Sequence, residues 1–254
     1  MLGPLELLVV ALAAVAAGAV NALAGGGTLI TFPVLTMLGV PALAANITNT
    51  VALCPGHIGA TLAQKENLRG QGARLRAILP ASAVGGLLGG VLLLMTGEKT
   101  FREVVPFLLL TASALLALQD RVRAWLLARA ERLGHTGGHE SLAPVAVGVA
   151  AVYGGYFGAG LGVVLLAAMG AVIDDTLPRL NAMKTLISLV VNVAAAVFFL
   201  FSDQVVWSAA AVMAVGALAG GALGGHLVTR VNATALRRVI ITIGVVLSVV
   251  YLLR

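Results

Sequence analysis

The sequence contains few charged residues, few aromatic residues and a single cysteine. Charged residues make up only 10% of its 254 positions, whereas they make up about a quarter of a soluble domain. Hydrophobic residues account for 60% of the chain, and the mean hydropathy is +1.04. A water-soluble fold of this length cannot bury so much apolar surface. The composition therefore excludes a soluble globular protein and indicates a protein that lies in a lipid bilayer.

Motifs that carry enzyme chemistry are also missing. The sequence has no G-x-S-x-G, no H-E-x-x-H and no Walker P-loop, so we predict no enzyme, no catalytic residues and no cofactor. Few acidic residues lie within the apolar runs, which argues against a metal-cation carrier, and we predict no metal site. The lone Cys54 cannot form an intrachain disulfide. The net charge of +6 does not predict nucleic-acid binding, because the basic residues occupy short connections between apolar runs.

Apolar runs of about 20 residues recur along the chain, and each is long enough to cross about 30 Å of hydrocarbon as a helix. The runs are continuously apolar rather than alternating, which favours helices over a barrel. The first run is preceded by no basic region and contains Glu6, so we predict a retained span rather than a signal peptide. Charge and Gly/Pro clusters divide the chain into ten predicted segments: 4–24, 28–45, 46–63, 74–96, 101–120, 143–157, 159–174, 179–200, 203–229 and 235–253.

Two pairs of these segments meet at glycine-rich breaks, AGGGT at 24–28 and FGAGLG at 157–162. Several of the paired segments are short for a full crossing. Each pair therefore forms either two crossings or one re-entrant hairpin.

An internal repeat organises the chain. GGLLGG at 85–90 matches GGALGG at 220–225, a shift of 135 residues, and the same shift pairs Asn46 with Asn181 and Arg102 with Arg237. A shift of 133 pairs the two glycine-rich breaks. We predict an all-α polytopic membrane protein with two repeats of about five transmembrane or re-entrant helical segments each. The predicted parts are an N-terminal repeat at 1–120, a cytoplasmic amphipathic linker at 121–142 and a C-terminal repeat at 143–254.

Loop charges predict that the second repeat is inverted relative to the first. Five segments are an odd number, so the second copy should enter the membrane from the opposite side. The connection after 46–63 is basic, whereas its counterpart after 179–200 holds only Asp203. The positive-inside rule then places the basic connection in the cytoplasm and both termini outside, and we expect an inner cell membrane location. The basic residues of that connection are Lys65, Arg69, Arg74 and Arg76.

Inverted repeats are typical of secondary transporters, whose substrates bind near the midplane where helices are interrupted. A glycine-rich break directs helix N-termini inward, and these attract anions. The equivalent positions of the two breaks favour a binding site, with close helix packing by small residues as the alternative. For the GGLLGG and GGALGG pair, packing is the favoured interpretation.

Polar residues inside the segments complete the predicted site. Asn46, Asn49 and Thr50 share one helix face, and a second face carries Lys184, which we expect to neutralise an anion. The alternative is that Lys184 reaches the interface or pairs with Asp174 or Asp175. His57 is equally compatible with proton exchange and with packing. The predicted substrate-binding residues are Gly25, Gly26, Gly27, Thr28, Asn46, Asn49, Thr50, His57, Gly158, Gly160, Asn181, Lys184, Thr185, Ser188 and Asn192.

Residues 21–60, NALAGGGTLITFPVLTMLGVPALAANITNTVALCPGHIGA, and the looser second copy at 154–192 resemble the TauE/SafE (sulfite exporter) family of membrane transporters. The resemblance covers essentially the whole chain. It implies one half-site on the first break with Asn46, Asn49 and Thr50. It implies a second half-site made by Gly158, Gly160, Asn181, Lys184 and Thr185.

The expected function is a secondary transporter, in the export direction, for a small anion such as sulfite, sulfoacetate or another organosulfonate. Protons are the expected coupling ion, and an oligomer is compatible with the sequence. An anion channel on the same scaffold is the main alternative. A membrane enzyme or assembly partner without a transport role is the third.

Overall fold

The structure is a computed structural model that describes residues 2–23, 26–133, 140–227 and 233–253. Within these ranges the chain is helical and contains no strand, so the predicted all-α class is confirmed. The predicted site residue Gly25 lies outside the described residues, as do 134–139 of the predicted linker. The α-helices are α1 Pro4–Leu23, α2 Thr28–Met37, α3 Ala42–Ala63, α4 Gly72–Leu133, α5 Ala143–Tyr156, α6 Leu161–Val172, α7 Leu177–Phe199, α8 Trp207–Leu227 and α9 Ala233–Leu252.

Helix α4 joins two predicted segments and continues beyond them. Its one non-helical residue is Gly97, with φ 71° and ψ 168°. Glycine adopts this conformation readily, whereas residues with a Cβ rarely do. Directly after this break, the Glu98 carboxylate accepts hydrogen bonds from the N–H groups of Ala42 and Leu43, at 2.9 and 2.8 Å. Glu98 therefore supplies negative charge at the N-terminus of α3, where the helix dipole favours it.

The largest differences from the predicted boundaries occur at two places. The segment predicted at 28–45 ends as α2 at Met37, because Gly39 turns the chain at φ 86° and Pro41 precedes the first residue of α3. The segment predicted at 101–120 continues as α4 to Leu133. The first half of the predicted linker is thus helical and extends α4 instead of forming a separate element.

Helix lengths decide how the broken segments sit in a bilayer. At 1.5 Å per residue, the 10 residues of α2 span about 15 Å and the 12 of α6 about 18 Å, less than the hydrocarbon thickness of about 30 Å. The 14 residues of α5 are also too short. Among the described residues, Pro4–Asn21, Gly72–Ala128 and Leu177–Phe199 are long and apolar enough to cross a membrane. The lengths therefore favour a re-entrant hairpin for α5 and α6.

Glycines let the helices touch through their backbones. A Cβ added to Gly86 on α4 would lie 2.6 Å from the Val191 carbonyl oxygen on α7. A Cβ added to Gly221 on α8 would lie 2.5 Å from the Gly56 carbonyl oxygen on α3. No side chain fits at either distance, so the glycine-rich stretches are needed for helix packing.

A buried aromatic group connects α2 with the segment between α5 and α6. The rings of Phe32 and Phe157 meet edge to face with centroids 5.6 Å apart. Phe101 on α4 packs against Phe157 and Tyr156, at 6.3 and 5.9 Å. These contacts place the start of α2 and the end of α5 in one core.

Candidate functional site

The first break ends at Gly26 and Gly27, and α2 starts at Thr28. The Gly27 N–H donates a 2.7 Å hydrogen bond to Asn21 Oδ1 on α1. A Cβ on Gly27 would lie 2.5 Å from the Ala17 carbonyl oxygen, and one on Gly26 would lie 2.8 Å from Leu116 Cδ1 of α4. The glycines therefore let α1 and α4 approach the start of α2.

Asn49 of α3 reaches the first turn of α2. Its Nδ2 donates to Thr28 Oγ1 at 3.1 Å, and its Oδ1 accepts a hydrogen bond from Thr31 Oγ1. All three side chains are buried. We call Asn21, Gly27, Thr28, Thr31 and Asn49 the asparagine cluster.

The second break runs from Phe157 to Gly160. Gly158 and Gly160 both have φ 76°, the left-handed region that glycine adopts at little cost, and α6 starts at Leu161. Tyr153 Oη donates to the Ala159 carbonyl oxygen. In the described part of the chain, no acceptor lies within hydrogen-bonding geometry of the N–H groups of Gly160 and Gly162. These donors lie at the N-terminus of α6, where the helix dipole favours an anion.

Both breaks lie against the same stretch of α4. Gly26 contacts Leu116, and a Cβ on Gly160 would lie 3.5 Å from Ala112 Cα, one turn earlier on the helix. Because Ala112 and Leu116 are four residues apart, the half-sites predicted around Gly26 and Gly160 lie against one face of α4, a turn apart.

Asn46 lies apart from the asparagine cluster. It is fully buried, and its Nδ2 donates a 2.9 Å hydrogen bond to the Tyr156 carbonyl oxygen at the end of α5. Its Oδ1 has no partner among the described residues. Thr50, predicted on the same face, donates to the Asn46 carbonyl oxygen within its own helix. Asn46 thus belongs to the second break rather than to the first.

Lys184 of α7 is 1% exposed, so its side chain is enclosed by protein. Its Nζ donates a 2.8 Å hydrogen bond to Asn181 Oδ1. Asn181 Nδ2 donates to Gln64 Oε1 at 2.8 Å, and Gln64 Nε2 donates to Thr185 Oγ1 at 3.2 Å. We call Gln64, Asn181, Lys184 and Thr185 the lysine cluster.

No carboxylate among the described residues forms an ion pair with Lys184. Asp175, an alternative partner in the sequence, instead pairs with Arg74 and Arg179, at 2.5 and 3.1 Å. Asp174 makes no ion pair with Lys184 either. The positive charge is buried without a protein counter-charge in the part of the chain described, which is costly unless another anion supplies one.

Two further polar groups lie within electrostatic range of Lys184. His57 of α3 is 7% exposed, and its Nδ1 is buried without a partner in the described ranges. Arg123 of α4 is a second nearby cation, and its buried Nε likewise lacks a partner among the described residues. Three helices therefore bring nitrogen donors towards the lysine cluster.

Ser188 and Asn192 extend the polar face of α7. Asn192 Nδ2 donates to the Ser188 carbonyl oxygen at 2.8 Å, within the same helix. Ser188 is buried and Asn192 is half-buried. Neither side chain joins the lysine cluster by a hydrogen bond.

Sequence reasoning did not single out Asn21, Thr31, Gln64 or Arg123. Asn21 lies shortly before the first break, and its position could have indicated a side chain that accepts a hydrogen bond from the N–H groups of the break. Gln64 is the C-cap that directly follows α3, and a polar residue is ordinary at a helix end. Arg123 was assigned to the linker, and only the continuation of α4 to Leu133 places it beside α7.

The arrangement can bind an anion more readily than a cation. Lys184 and Arg123 contribute positive charge, and the start of α6 contributes N–H donors. Within the described residues, no group of three His, Cys, Asp or Glu side chains could hold a metal ion.

Comparison with known proteins gives the family. The family model for the sulfite exporter TauE/SafE matches residues 10–251. The chain belongs to the TauE/SafE family. A probable membrane transporter protein of Haemophilus influenzae is 27% identical over 230 residues, covering 87% of this chain and 85% of that protein. The probable membrane transporter protein YfcA of Escherichia coli K12 is 26% identical over 248 residues, covering 98% and 90%.

A third similar protein, the probable membrane transporter protein ORF9 of a Sinorhizobium species, is 26% identical over 251 residues, covering 93% of this chain and 88% of its own length. No solved structure matches the chain. The TauE/SafE family and these relatives indicate a membrane transporter rather than an enzyme.

Proposed function

We propose that this TauE/SafE protein is a secondary transporter that exports a small anion, such as sulfite or an organosulfonate, by alternating access. The observation that carries the proposal is Lys184, a buried cation for which the described residues provide no carboxylate. A bound anion would supply the missing charge, and Asn181 would orient the ammonium towards it.

The proposed binding site lies between two inverted repeats. Helix packing supports this organisation, because Gly86 meets Val191 and Gly221 meets Gly56. A shift of 135 residues relates Gly86 to Gly221, and the same shift relates Gly56 to Val191. One contact is therefore made twice, with the partners exchanged between the repeats.

The proposed role of each cluster follows from its charge. The lysine cluster would neutralise the anion. The N–H groups of Gly160 and Gly162, which have no acceptor among the described residues, would offer the anion a second contact at the break before α6. The asparagine cluster is neutral and already hydrogen-bonded within itself, so we assign it to holding the first break in shape. His57, within electrostatic range of Lys184, is the proposed proton-exchanging group.

Sulfite flux into proteoliposomes tests the proposal. Saturable flux is expected from the wild type, with a large loss in Lys184→Ala. Lys65→Ala removes an exposed lysine outside the clusters and should leave flux unchanged. A panel of sulfite, sulfate, thiosulfate and sulfoacetate in the same assay ranks the substrates.

Three outcomes would contradict the proposal. Unchanged flux in Lys184→Ala would remove the lysine cluster from the site. Flux that never saturates, together with single-channel currents, would instead make the protein an anion channel. Absence of flux for the whole panel would favour an enzyme or assembly role.

A further inference from the structure

A cavity of about 710 Å³ lies away from both clusters, between the turn that joins α2 to α3 and the second half of α9. Glu98 and Arg102, which follow the break in α4, line the same cavity. None of the residues of the asparagine or lysine clusters lines it. The transport site therefore does not account for this cavity.

One wall of the cavity is an apolar strip of α9. From Thr242 to Tyr251 the lining extends over nine residue steps, about 13 Å at 1.5 Å per residue. Val246, in the middle of this strip, is 55% exposed, so the wall is open towards the surroundings of the helix bundle. In a membrane transporter those surroundings are acyl chains. The strip consists of Ile243, Val246, Leu247 and Val250.

Two charged side chains, Glu98 and Arg102, line the same cavity. Glu98 is engaged, because its two oxygens accept the N–H groups at the start of α3. Arg102 is exposed, and no carboxylate among the described residues forms an ion pair with it. Its counterpart in the sequence repeat, Arg237, does form an ion pair, with Asp120. Arg102 is thus a cation without an ion pair in the described ranges, on the lining of a largely apolar cavity.

We propose that this cavity binds one anionic phospholipid, with an acyl chain along α9 and the headgroup phosphate on Arg102. An apolar strip along α9, with Arg102 as the one Lys or Arg among the described lining residues, matches the division of a phospholipid into chain and phosphate. A small soluble anion would leave the wall of Val246 and Leu247 uncovered. The lipid would fill the space between α9 and the α2–α3 turn, and so support α2 where it ends.

Native mass spectrometry of the purified full chain, delipidated and then supplied with phosphatidylglycerol, tests the proposal. One retained lipid is expected for the wild type. Val246→Trp should abolish retention because the indole fills the groove. Val245→Trp adds the same bulk at a neighbouring position that does not line the cavity, and it should retain the lipid.

The headgroup contact has its own matched pair. Arg102→Gln should weaken retention about fivefold, the factor that corresponds to about 1 kcal/mol for one basic residue at an anionic lipid surface. Lys99→Gln removes a nearby exposed cation that does not line the cavity and should change nothing. Melting temperatures measured without lipid check that all four variants remain folded.

Three results would overturn the proposal. Retention by Val246→Trp equal to that of Val245→Trp would place the lipid elsewhere. Equal weakening by Arg102→Gln and Lys99→Gln would show a diffuse surface charge effect. Binding of inorganic phosphate or sulfite that depends on Arg102, without lipid retention, would make the cavity a vestibule for soluble anions.

Discussion

The Lys184 ammonium donates a 2.8 Å hydrogen bond to Asn181, and the Asn181 amide donates one of the same length to Gln64 at the C-terminal end of α3. The chain of donors and acceptors crosses from α7 to α3. It fixes the position of the ammonium but leaves its charge without a carboxylate partner in the described structure. Such an arrangement costs stability, since burying a cation removes its hydration. A cost of this kind is expected where a ligand completes the site.

Lys184→Met should therefore separate stability from function. An apolar side chain of similar length removes the desolvation cost, so the melting temperature should stay equal or rise. Sulfite flux should fall at least about tenfold, which corresponds to about 1.4 kcal/mol. Lys184→Arg keeps the charge and should retain more flux than Lys184→Met. A lower melting temperature with unchanged flux would show that the lysine is structural.

Helix packing gives a second prediction. Gly86→Ala should destabilise the fold by about 1–3 kcal/mol, because a Cβ there would push against the Val191 carbonyl oxygen at 2.6 Å. Gly148→Ala is the matched control, since its nearest neighbour would be Ala81 at an ordinary 3.6 Å. Melting temperatures in one detergent compare the two variants. Equal effects would show that the glycine contact does not limit packing.

Gly221→Ala extends this test to the proposed repeat. Its Cβ would meet the Gly56 carbonyl oxygen at 2.5 Å, so the loss of stability should resemble that of Gly86→Ala. A neutral Gly221→Ala beside a damaging Gly86→Ala would mean that the two contacts are not equivalent.

The helices and the glycine-rich breaks could be predicted because they depend on local composition. Run length and apolarity define most helix positions. The positive φ angles of Gly158 and Gly160 are a local property of glycine and can be anticipated from the adjacent sequence. The turn at Gly39 and Pro41 had a usable local signal, since proline disfavours a helical residue before it. That signal would have placed the start of α3 four residues earlier than predicted.

Contacts between distant residues could not be predicted in the same way. Asn46 donates to the carbonyl oxygen of Tyr156, 110 residues away, and no local pattern encodes that pairing. Arg123 follows an apolar segment and resembles a linker residue until the helix is seen to continue past it. The break residues of the site were thus predictable, whereas Gln64 and Arg123 depend on tertiary packing.

Acid should weaken the connection between the start of α4 and the α6–α7 loop. Burial acts to raise the pKa of Asp175, but hydrogen bonds from Gln71 and the Thr176 N–H, with the charges of Arg179 and Arg74, lower it below its usual value. The stability that Asp175 contributes is therefore fully present above its unfolded pKa of about 3.9. It is lost as the pH falls through the lower folded value.

Melting temperatures of the wild type and Asp175→Asn should show this directly. The difference between the two proteins should be constant from about pH 7 to about pH 4 and shrink below it. Asp203→Asn, at an exposed carboxylate with no ion pair in the described residues, should show no such difference. A wild-type advantage that disappears already near neutral pH would contradict the lowered pKa.

Accessibility of two loops can decide whether the proposed repeats are inverted or parallel. Glu66 follows α3 and Asp203 follows α7, and both are exposed. These loops are equivalent in the sequence repeat, so parallel repeats would place them on the same side of the membrane and inverted repeats on opposite sides. The basic residues around Glu66 predict that its loop is the cytoplasmic one.

Single cysteines at these positions make the comparison, in a chain whose native cysteine is removed by Cys54→Ala. An impermeant maleimide applied to intact cells should label Asp203→Cys, and Glu66→Cys should react only after the membrane is permeabilised. The reverse pattern would invert the proposed orientation and keep the inverted repeat. Labelling of both cysteines from the same side would rule out inversion, because inverted repeats place these two equivalent loops on opposite sides of the membrane.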